Sequence, residues 1–559
     1  MRTHDEKNIR AKHWLKIGAW LMGIALLLFV GLFIFTNWLQ HKLEQSVQKQ
    51  SKGVYRLAIF GFQVSPFAGT LSADSLSLVP DYSRWHALQS QHQEVSRTLL
   101  DLQTNTLQLR GINFFSILIG QDVKLSLVEV GQPHLLMTTM REDTTAQHKP
   151  FHETVTGIMH GLAVDKIDVN DARLEYRKSP GAAESIFSIQ RFNLTIADFQ
   201  LDSQSFQAQD RAYYANGVIL AATNAAYLFS EGDYRLSTDS LYLNTERRSL
   251  LAKQLKLNPT SDPASLARRK GKAVSFTKLE VPEVSISGLN YPEHSRHSNF
   301  MAQHLLITNP QMSSFKDKQR FENKGRQPLP HELVQQMQTK FLLDSVEVLN
   351  GYFRYAELVP KAAERGHINV QNLNITLLNL SNIPQHMSDK KPAIAHVNGV
   401  LMGKVPVQLS VYMPLLNKNG YHRIEGKIAS GNPEVLNAMV APTAFVRFES
   451  GYVSRGSFEV ELNEERATGK LHLLYSNFKI DLLSKGTGGE QSFGKEVLSK
   501  LANWLVIKQS NPDDKGEVPR VGNINVTRNP ENSVFGYWKD CLLDGFMSIA
   551  GLAGRAEKL

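Results

Sequence analysis

The chain contains a single cysteine, Cys541, among 559 residues. One thiol excludes an intrachain disulfide, so the protein is not a small secreted domain held together by cross-links. A chain of this length can bury a sufficient apolar core without them. The absence of disulfides is also compatible with a bacterial periplasm.

The sequence also lacks a continuous basic stripe with interleaved aromatic residues. Its net charge is +9, from 62 basic and 53 acidic residues, and part of the basic excess lies in short loops such as residues 267–272 and 314–320. This distribution disfavours a nucleic-acid partner. It suits loops that lie near anionic lipid.

Catalytic motifs are missing or incomplete. Residues 489–496 have the glycine and lysine spacing of a phosphate-binding loop, but Glu496 stands where a hydroxyl would hold Mg²⁺. His331 begins a metalloprotease-like motif that lacks its second histidine, and no histidine near Cys541 would activate its thiol. We therefore predict that the protein is not an enzyme and has no catalytic residues, metal or cofactor.

The longest apolar run, residues 17–39, holds 23 residues without a charge. It is long enough to cross a bilayer core of roughly 30 Å. A cleaved signal peptide would have an apolar core of only about 7–15 residues followed by a cleavage site, which is not found here. The preceding basic residues place the N-terminal end in the cytoplasm; they are Arg2, Lys7, Arg10, Lys12 and Lys16.

Blocks of sequence occur twice in the same order. LSADSLSL at residue 71 returns as LSTDSLYL 165 positions later, and LQLRGIN at residue 107 returns as VSISGLN after 177. Pro133 and Pro310 keep the offset of 177, and further blocks that begin at residues 164 and 189 return after 179 and 181. Such a duplication indicates an extended repeat architecture rather than a compact enzyme.

The repeated blocks alternate between apolar and polar residues with period two, as in residues 405–413, which predicts strands with one apolar face. Long helical patterns are confined to residues 493–507 and to the stretch from Phe535. We predict a mostly β protein, in which an N-terminal transmembrane helix precedes an elongated, twisted, antiparallel, repeating β-groove with few helices. A sandwich or closed barrel satisfies the same alternation.

The repeats and the composition divide the chain into seven segments. These are a basic cytoplasmic tail (1–16), the anchor (17–39), a connector (40–52), two β-repeats (53–230 and 231–383), a C-terminal β module (384–483) and a tail with amphipathic helices (484–559).

Several stretches resemble one known family. The opening YRLAIFGFQVSPFAGTLSADSLSLVPDYSRW at residue 55, and GKIASGNPEVLNAMVAP at residue 426 with NPENSVFGYWKDCLLDG at residue 529, are similar to AsmA-like envelope proteins. The resemblance implies a periplasmic β-groove that is anchored in the bacterial inner membrane and acts in phospholipid transport or outer-membrane biogenesis. It implies a single-pass protein with a cytoplasmic N terminus, most of which lies in the periplasm.

In a groove of this kind, the alternating apolar residues would form a floor for acyl chains, with phospholipid or another acyl-chain lipid as the ligand. The alternative is an envelope assembly scaffold that binds protein partners without lipid and uses the same residues as dry core. The predicted floor residues are Leu107, Leu109, Val123, Leu125, Leu127, Leu174, Tyr176, Leu194, Ile196, Val284, Ile286, Phe353, Tyr355, Leu373, Ile375, Val407, Leu409 and Val411.

The C-terminal stretch predicts an amphipathic helix with Phe535, Trp538, Leu542, Phe546 and Ile549 on one face. This face would contact a membrane surface or an envelope protein. Alternatively, the helix caps the open end of the sheet.

Overall fold

The computed structural model describes residues 32–114, 123–141, 152, 161–182, 184–229, 231–483, 507–513 and 517–551. These residues form a mostly β protein whose strands pair largely antiparallel and whose helices are few, as the alternation predicts. The chain divides into two compact units, Met1–Thr223 and Asn224–Leu559.

The predicted anchor lies mainly outside the described residues. Residues 32–50 are helical, and residues 17–31 of the predicted anchor lie outside the residues that the structure describes. Among the helices that the structure does describe, none combines the length and the apolar character needed to cross a membrane.

The first unit is a sheet of long, interrupted strands. The strands are β1 (Tyr55–Phe60), β2 (Gln63–Ser65), β3 (Thr70–Ala73), β4 (Ser75–Pro80), β5 (Thr98–Thr104), β6 (Thr106–Arg110), β7 (Val123–Gly131), β8 (His134–Thr139), β9 (Leu162–Arg177) and β10 (Phe187–Leu201), and β11 (Ala215–Phe229) leads into the second unit. The pairs β1/β2, β3/β4, β5/β6 and β7/β8 each act as one strand with a break. Neighbouring strands pair antiparallel, except that β7/β8 runs parallel to β9. Short helices span Tyr82–Ser90 and Ser203–Gln207.

The second unit repeats this order and extends it. Its strands are β12 (Tyr234–Asn244), β13 (Ser249–Pro259), β14 (Ser275–Ser287), β15 (Phe300–Thr308), β16 (Gln311–Asp317), β17 (Phe341–Leu358), β18 (Gly366–Ser381), β19 (Ala393–Leu401), β20 (Val405–Met413), β21 (His422–Ile428), β22 (Val446–Leu462), β23 (Arg466–Leu482) and β24 (Val521–Thr527). The pairing is antiparallel except that β15 and β16 run parallel to β17. The helices are Pro263–Lys270, Tyr291–His297, Pro330–Gln336, Asn437–Ala444 and Val534–Ile549, with a 3₁₀ turn at Pro433–Leu436.

The two copies share a kink in their longest strands. Asp171 in β9 and Asn350 in β17 each have a φ of 53°, a left-handed conformation that Asp and Asn tolerate better than other non-glycine residues. The Asp171 amide donates to Asn193 Oδ1 at 2.8 Å, and the Asn350 amide donates to Asn374 Oδ1 at 3.0 Å. The same device therefore occupies the same place in both units.

The duplicated prolines mark the break in the neighbouring strand. Arg173 N donates to the Pro133 carbonyl at 2.7 Å, and Tyr352 N donates to the Pro310 carbonyl at 2.8 Å. Proline cannot donate to a sheet ladder, so a strand break is a position that accommodates it.

One of the sequence matches pairs non-equivalent strands. Tyr55 lies opposite Pro80 in the first hairpin, and Tyr234 lies opposite Pro259 in the second. The two hairpins therefore correspond at an offset of 179, whereas the block beginning at Leu71 was matched at 165. That match joins the second arm of one hairpin to the first arm of the other, because successive antiparallel strands share one alternation.

The outer strand of the first unit is covered by the N-terminal helix. Gln40 Nε2 donates to the Ile59 carbonyl at 2.8 Å, and the Ile59 amide donates to Glu44 Oε1 at 3.3 Å. These bonds satisfy backbone groups of β1 that face away from β4, and such edge groups otherwise pair with other chains.

The last strand of the second unit is covered in the same manner by the helix Val534–Ile549. The Asn525 amide donates to Asp544 Oδ2 at 2.8 Å, and the Asn523 amide donates to Ser548 Oγ at 3.1 Å.

Two glycines set how closely this helix approaches β24. A Cβ added to Gly522 would lie 2.1 Å from the carbonyl oxygen of Gly545, and a Cβ on Gly545 would lie 2.9 Å from the Leu471 Cβ. Backbone therefore lies against backbone, and a methyl group at Gly522 has no space.

We expect Gly522→Ala to loosen the helix Val534–Ile549, since overpacking costs about 1–3 kcal/mol. Hydrogen exchange of its amides should accelerate by roughly tenfold or more, at 1.4 kcal/mol per tenfold. Asn523→Ala, on the exposed face of the same strand, serves as the control. Unchanged exchange in Gly522→Ala would contradict the packing described here.

Candidate functional site

Two unbroken apolar rows cross the second unit. Strand register places their members side by side on one face of the sheet, from β12 to β24. The first row is Leu243, Leu250, Ile286, Leu305, Val346, Leu377, Ala395, Val411, Ile424, Val460, Gly469 and Ile524. The second row is Leu241, Ala252, Val284, Ile307, Val348, Ile375, Val397, Leu409, Gly426, Phe458, Leu471 and Gly522.

Burial changes along these rows. Ile286 and Leu305 are half-buried, whereas Val411, Ile424 and Val460 are 3 %, 1 % and 0 % exposed. Helix Val534–Ile549 packs on β23 and β24, and helix Asn437–Ala444 packs on β18 and β22. The first row is therefore partly accessible at one end and mostly dry core at the other, whereas Leu409 and Phe458 of the second row stay half-buried.

The first unit carries corresponding rows, whose members are mostly half-buried. Two of them lie at one end of the strands: Leu71, Leu109, Val128, Ile167 and Ile196, and Ala73, Leu107, Val130, Val169 and Leu194. A third lies beyond the strand breaks: Leu57, Leu78, Leu102, Leu135, Leu174 and Ile189.

The predicted floor residues are all half-buried except Leu125 and Val411, which are buried. Many of them fall on these rows: Leu107, Leu109, Leu174, Leu194, Ile196, Val284, Ile286, Ile375, Leu409 and Val411. Others lie beside them in register with small or apolar partners: Val123, Leu125, Phe353, Leu373 and Val407.

Leu127 is an exception among the predicted floor residues. It lies opposite Arg110 on one side and Lys166 on the other, whereas its neighbour Val128 lies opposite Leu109. The apolar alternation shifts by one position within β7, and a shift of one exchanges the two faces of a strand. Val128 takes the place on the rows that the sequence pattern gave to Leu127.

The two predicted floor tyrosines lie where polar groups begin. The Tyr176 hydroxyl lies 2.6 Å from Thr139 Oγ1, and the Tyr355 hydroxyl donates to Glu357 Oε2 at 2.9 Å. Burial, with the nearby Glu357 charge, raises the pKa of Tyr355, so its hydroxyl stays protonated. These residues contribute ring surface and keep their hydroxyls bonded to protein.

The opposite face of the sheet is polar. Across β19 to β23 it forms an open depression of about 800 Å³, lined by residues such as His396, Lys427, Glu459 and His472. Its lining is mixed and carries charged side chains, unlike the apolar rows on the other face.

The C-terminal helix turns a different side to the sheet from the one its sequence suggested. Phe535 is 69 % exposed, Ile549 is buried, and Trp538, Leu542 and Phe546 are half-buried. The predicted contact face is therefore divided between solvent and protein.

The buried residues of the helix are Tyr537, Cys541, Gly545 and Ile549, together with Met547. Burial raises the pKa of the Cys541 thiol to about 12, so this cysteine is unreactive. The sequence signal for this buried side was the spacing of four from Tyr537 to Ile549. The small size of Cys541 and Gly545 obscured it.

A buried histidine ties this helix to β21. The Trp538 indole N–H donates to His422 Nε2 at 3.0 Å, and His422 Nδ1 lies 2.9 Å from the Gly420 carbonyl. This pattern requires neutral His422 with its proton on Nδ1. Burial, with the nearby His331 and Arg528, lowers the His422 pKa.

A neighbouring cluster has the residue types of a metal site. His331, Glu332 and Glu464 place their ligand atoms within 4.8 Å of one another. However, Arg326 lies 2.8 Å from Glu332 and 3.6 Å from Glu464, and its charge would repel a cation. We interpret the cluster as an ion-pair network that joins the β16–β17 connection to the turn between β22 and β23.

The chain matches no protein-family model, and no curated protein matches it either. The likeness to AsmA-like proteins therefore rests on the sequence stretches alone.

Protonation of His422 should destabilise the C-terminal helix. Because the folded pKa lies below the unfolded value of about 6.5, its contribution to stability is present above that pH and is lost as the pH falls toward the folded pKa. We expect unfolding temperature to fall more between pH 7.5 and 5.5 in the natural chain than in His422→Asn. Parallel pH profiles would contradict this assignment.

Proposed function

We propose that the chain is a lipid-binding protein of the bacterial envelope, of the AsmA-like type, anchored in the inner membrane through residues 17–39. In this proposal most of the protein lies in the periplasm and contributes to phospholipid transport or outer-membrane biogenesis. The observation that carries the proposal is the pair of apolar rows, which cross strand after strand and are only half-buried over much of β12 to β18.

The rows have dimensions that suit an acyl chain. Strands lie roughly 4.8 Å apart, so the six neighbouring strands from β12 to β18 provide about 24 Å of apolar surface across the sheet. Burial of ten methylene groups on this surface contributes roughly 8 kcal/mol, before the loss of ligand motion is subtracted.

The surface binds without selecting a head group. The row residues carry no polar side chains, so affinity comes from methylene burial and each methylene finds an equivalent contact at the next strand. Movement along the rows then costs little, because a contact that is lost is replaced by a similar one. This property supports a carrier or conduit rather than a site for one lipid.

The alternative is an assembly scaffold that carries no lipid. It is favoured by the β20–β24 region, where most of the same row residues are buried in a core that includes the helix Val534–Ile549. In that function the accessible stretch of the rows would be covered by a protein.

A photo-crosslinker at Ile307, in the full chain in its native membrane, should yield adducts with the mass of a phospholipid. The control is the adjacent Leu306, which lies opposite Ser285 and Glu347 on the other face. Lipid adducts at Ile307 alone support the lipid function. Only protein adducts at Ile307 would support the scaffold.

Charge on the rows should expel lipid. Val284 and Ile307 are direct cross-strand partners, and Val284→Asp with Ile307→Asp would place two carboxylates on the apolar face. We expect lipid adducts from a crosslinker at Ile286 to fall at least tenfold. Ser285→Asp with Leu306→Asp, on the polar face, should leave the adducts unchanged. Equal effects of the two pairs would contradict the lipid function.

A further inference from the structure

Among the described residues of the first unit, the β2–β3 turn presents the most exposed apolar ring. Phe67, in the turn at residues 66–69, is 89 % exposed. The turn and its flanks, residues 57–73, contain no charged side chain. A single exposed ring needs no explanation by itself, but the same uncharged segment also exposes Phe60, which is 61 % accessible.

This hairpin runs back along the N-terminal helix. Leu39 packs on the cluster of Ile59, Phe62 and Ala73, and Gln40 bonds to Ile59. From that contact the strand pair continues about 20 Å to its turn, at roughly 3.3 Å per residue. The helix rises only about 1.5 Å per residue, so the turn reaches at least the level of residue 32.

The helix is itself exposed and apolar at that level. Phe33 and Ile34 are 64 % and 61 % exposed. They belong to the 23-residue uncharged run at 17–39, of which residues 17–31 precede the described part of the chain directly. Phe67 and the start of the described helix therefore present apolar groups at the same end of the first unit.

The second copy of the repeat shows that the fold does not require this tip. The Ile112 amide donates to the Gly69 carbonyl at 2.9 Å, and the Leu289 amide donates to the Arg248 carbonyl at 2.9 Å. Gly69 and Arg248 therefore close equivalent turns.

The equivalent turns differ in charge. PFAG at residues 66–69 corresponds to TERR at residues 245–248. The sequence that follows the next strand differs likewise, since residues 111–121 carry no charge and the counterpart contains the charged helix Tyr291–His297. Between these two equivalent turns, the uncharged one therefore belongs to the repeat copy that comes directly after the uncharged run in sequence.

We propose that the β2–β3 turn inserts into the lipid bilayer beside the anchor, with Phe67 among the acyl chains. The proposal rests on the membrane anchor of the proposed function. Leu71 begins an apolar row two residues after the turn, so an inserted turn places the start of that row at the membrane surface. Acyl chains would then pass from the bilayer to the rows without crossing water.

Fluorescent labelling of single cysteines tests this in the full chain, reconstituted in phosphatidylethanolamine–phosphatidylglycerol vesicles. Cys541 is buried and should not label, which the unsubstituted chain verifies. An environment-sensitive probe is placed by Phe67→Cys, and by Ala68→Cys in case the first variant folds poorly. The matched control is Glu246→Cys in the equivalent charged turn.

Insertion predicts a blue-shifted probe at residue 67 or 68 that is quenched by nitroxide-labelled lipids and protected from iodide severalfold relative to residue 246. Equal iodide quenching at the two turns would overturn the proposal. A probe shielded from both iodide and nitroxide lipid would also overturn it, because a protein would then cover the turn. Lipid adducts at Ile307 report the proposed function separately, and flotation of the vesicles reports the anchor.

Discussion

The register between neighbouring strands is the constraint on which the remaining structure depends. Each strand of the second unit offers an apolar residue at the same height as its neighbours, and the alignment survives the change from antiparallel to parallel pairing at β15 and β17. A slip of one residue in any strand would turn the opposite face of that strand into the rows, as when Glu347 takes the place of Val346 or Val348 in β17. The apolar face is therefore continuous only if every strand pair keeps its register.

Strand breaks keep this register without bending the rows out of line. Asp171 and Asn350 adopt a left-handed backbone conformation in β9 and β17, and side-chain amides of the next strand accept the freed backbone N–H. The prolines at 133 and 310 interrupt the adjacent strand at the same level. The kinks are thus satisfied by hydrogen bonds within each unit and can be repeated with little cost.

Helices determine how much of the apolar face is left accessible. Where Val534–Ile549 and Asn437–Ala444 cover the rows, the side chains are a dry core; where described helices do not cover them, the same residue types stay half-buried. The N-terminal helix and the helix Val534–Ile549 also cover the outer strands β1 and β24. Side-chain oxygen atoms of both helices accept hydrogen bonds from strand amides, and Gln40 donates one to a strand carbonyl. One apolar surface thus forms core at one end, and in the proposed function it would bind lipid at the other.

The sequence by itself determined the mostly β character, the duplication and many of the residues that lie on the apolar rows, because period-two alternation and repeated blocks are local patterns. Tertiary structure decided what depends on partners distant in sequence. It replaced Leu127 by Val128, moved the first repeat match from an offset of 165 to 179, and turned Tyr537 and Cys541 of the terminal helix toward the sheet. Alternation in the sequence shows that a strand has an apolar and a polar face. Strand pairing decides which residues of neighbouring strands lie side by side, and the packed helices decide which stretch of the apolar face remains accessible.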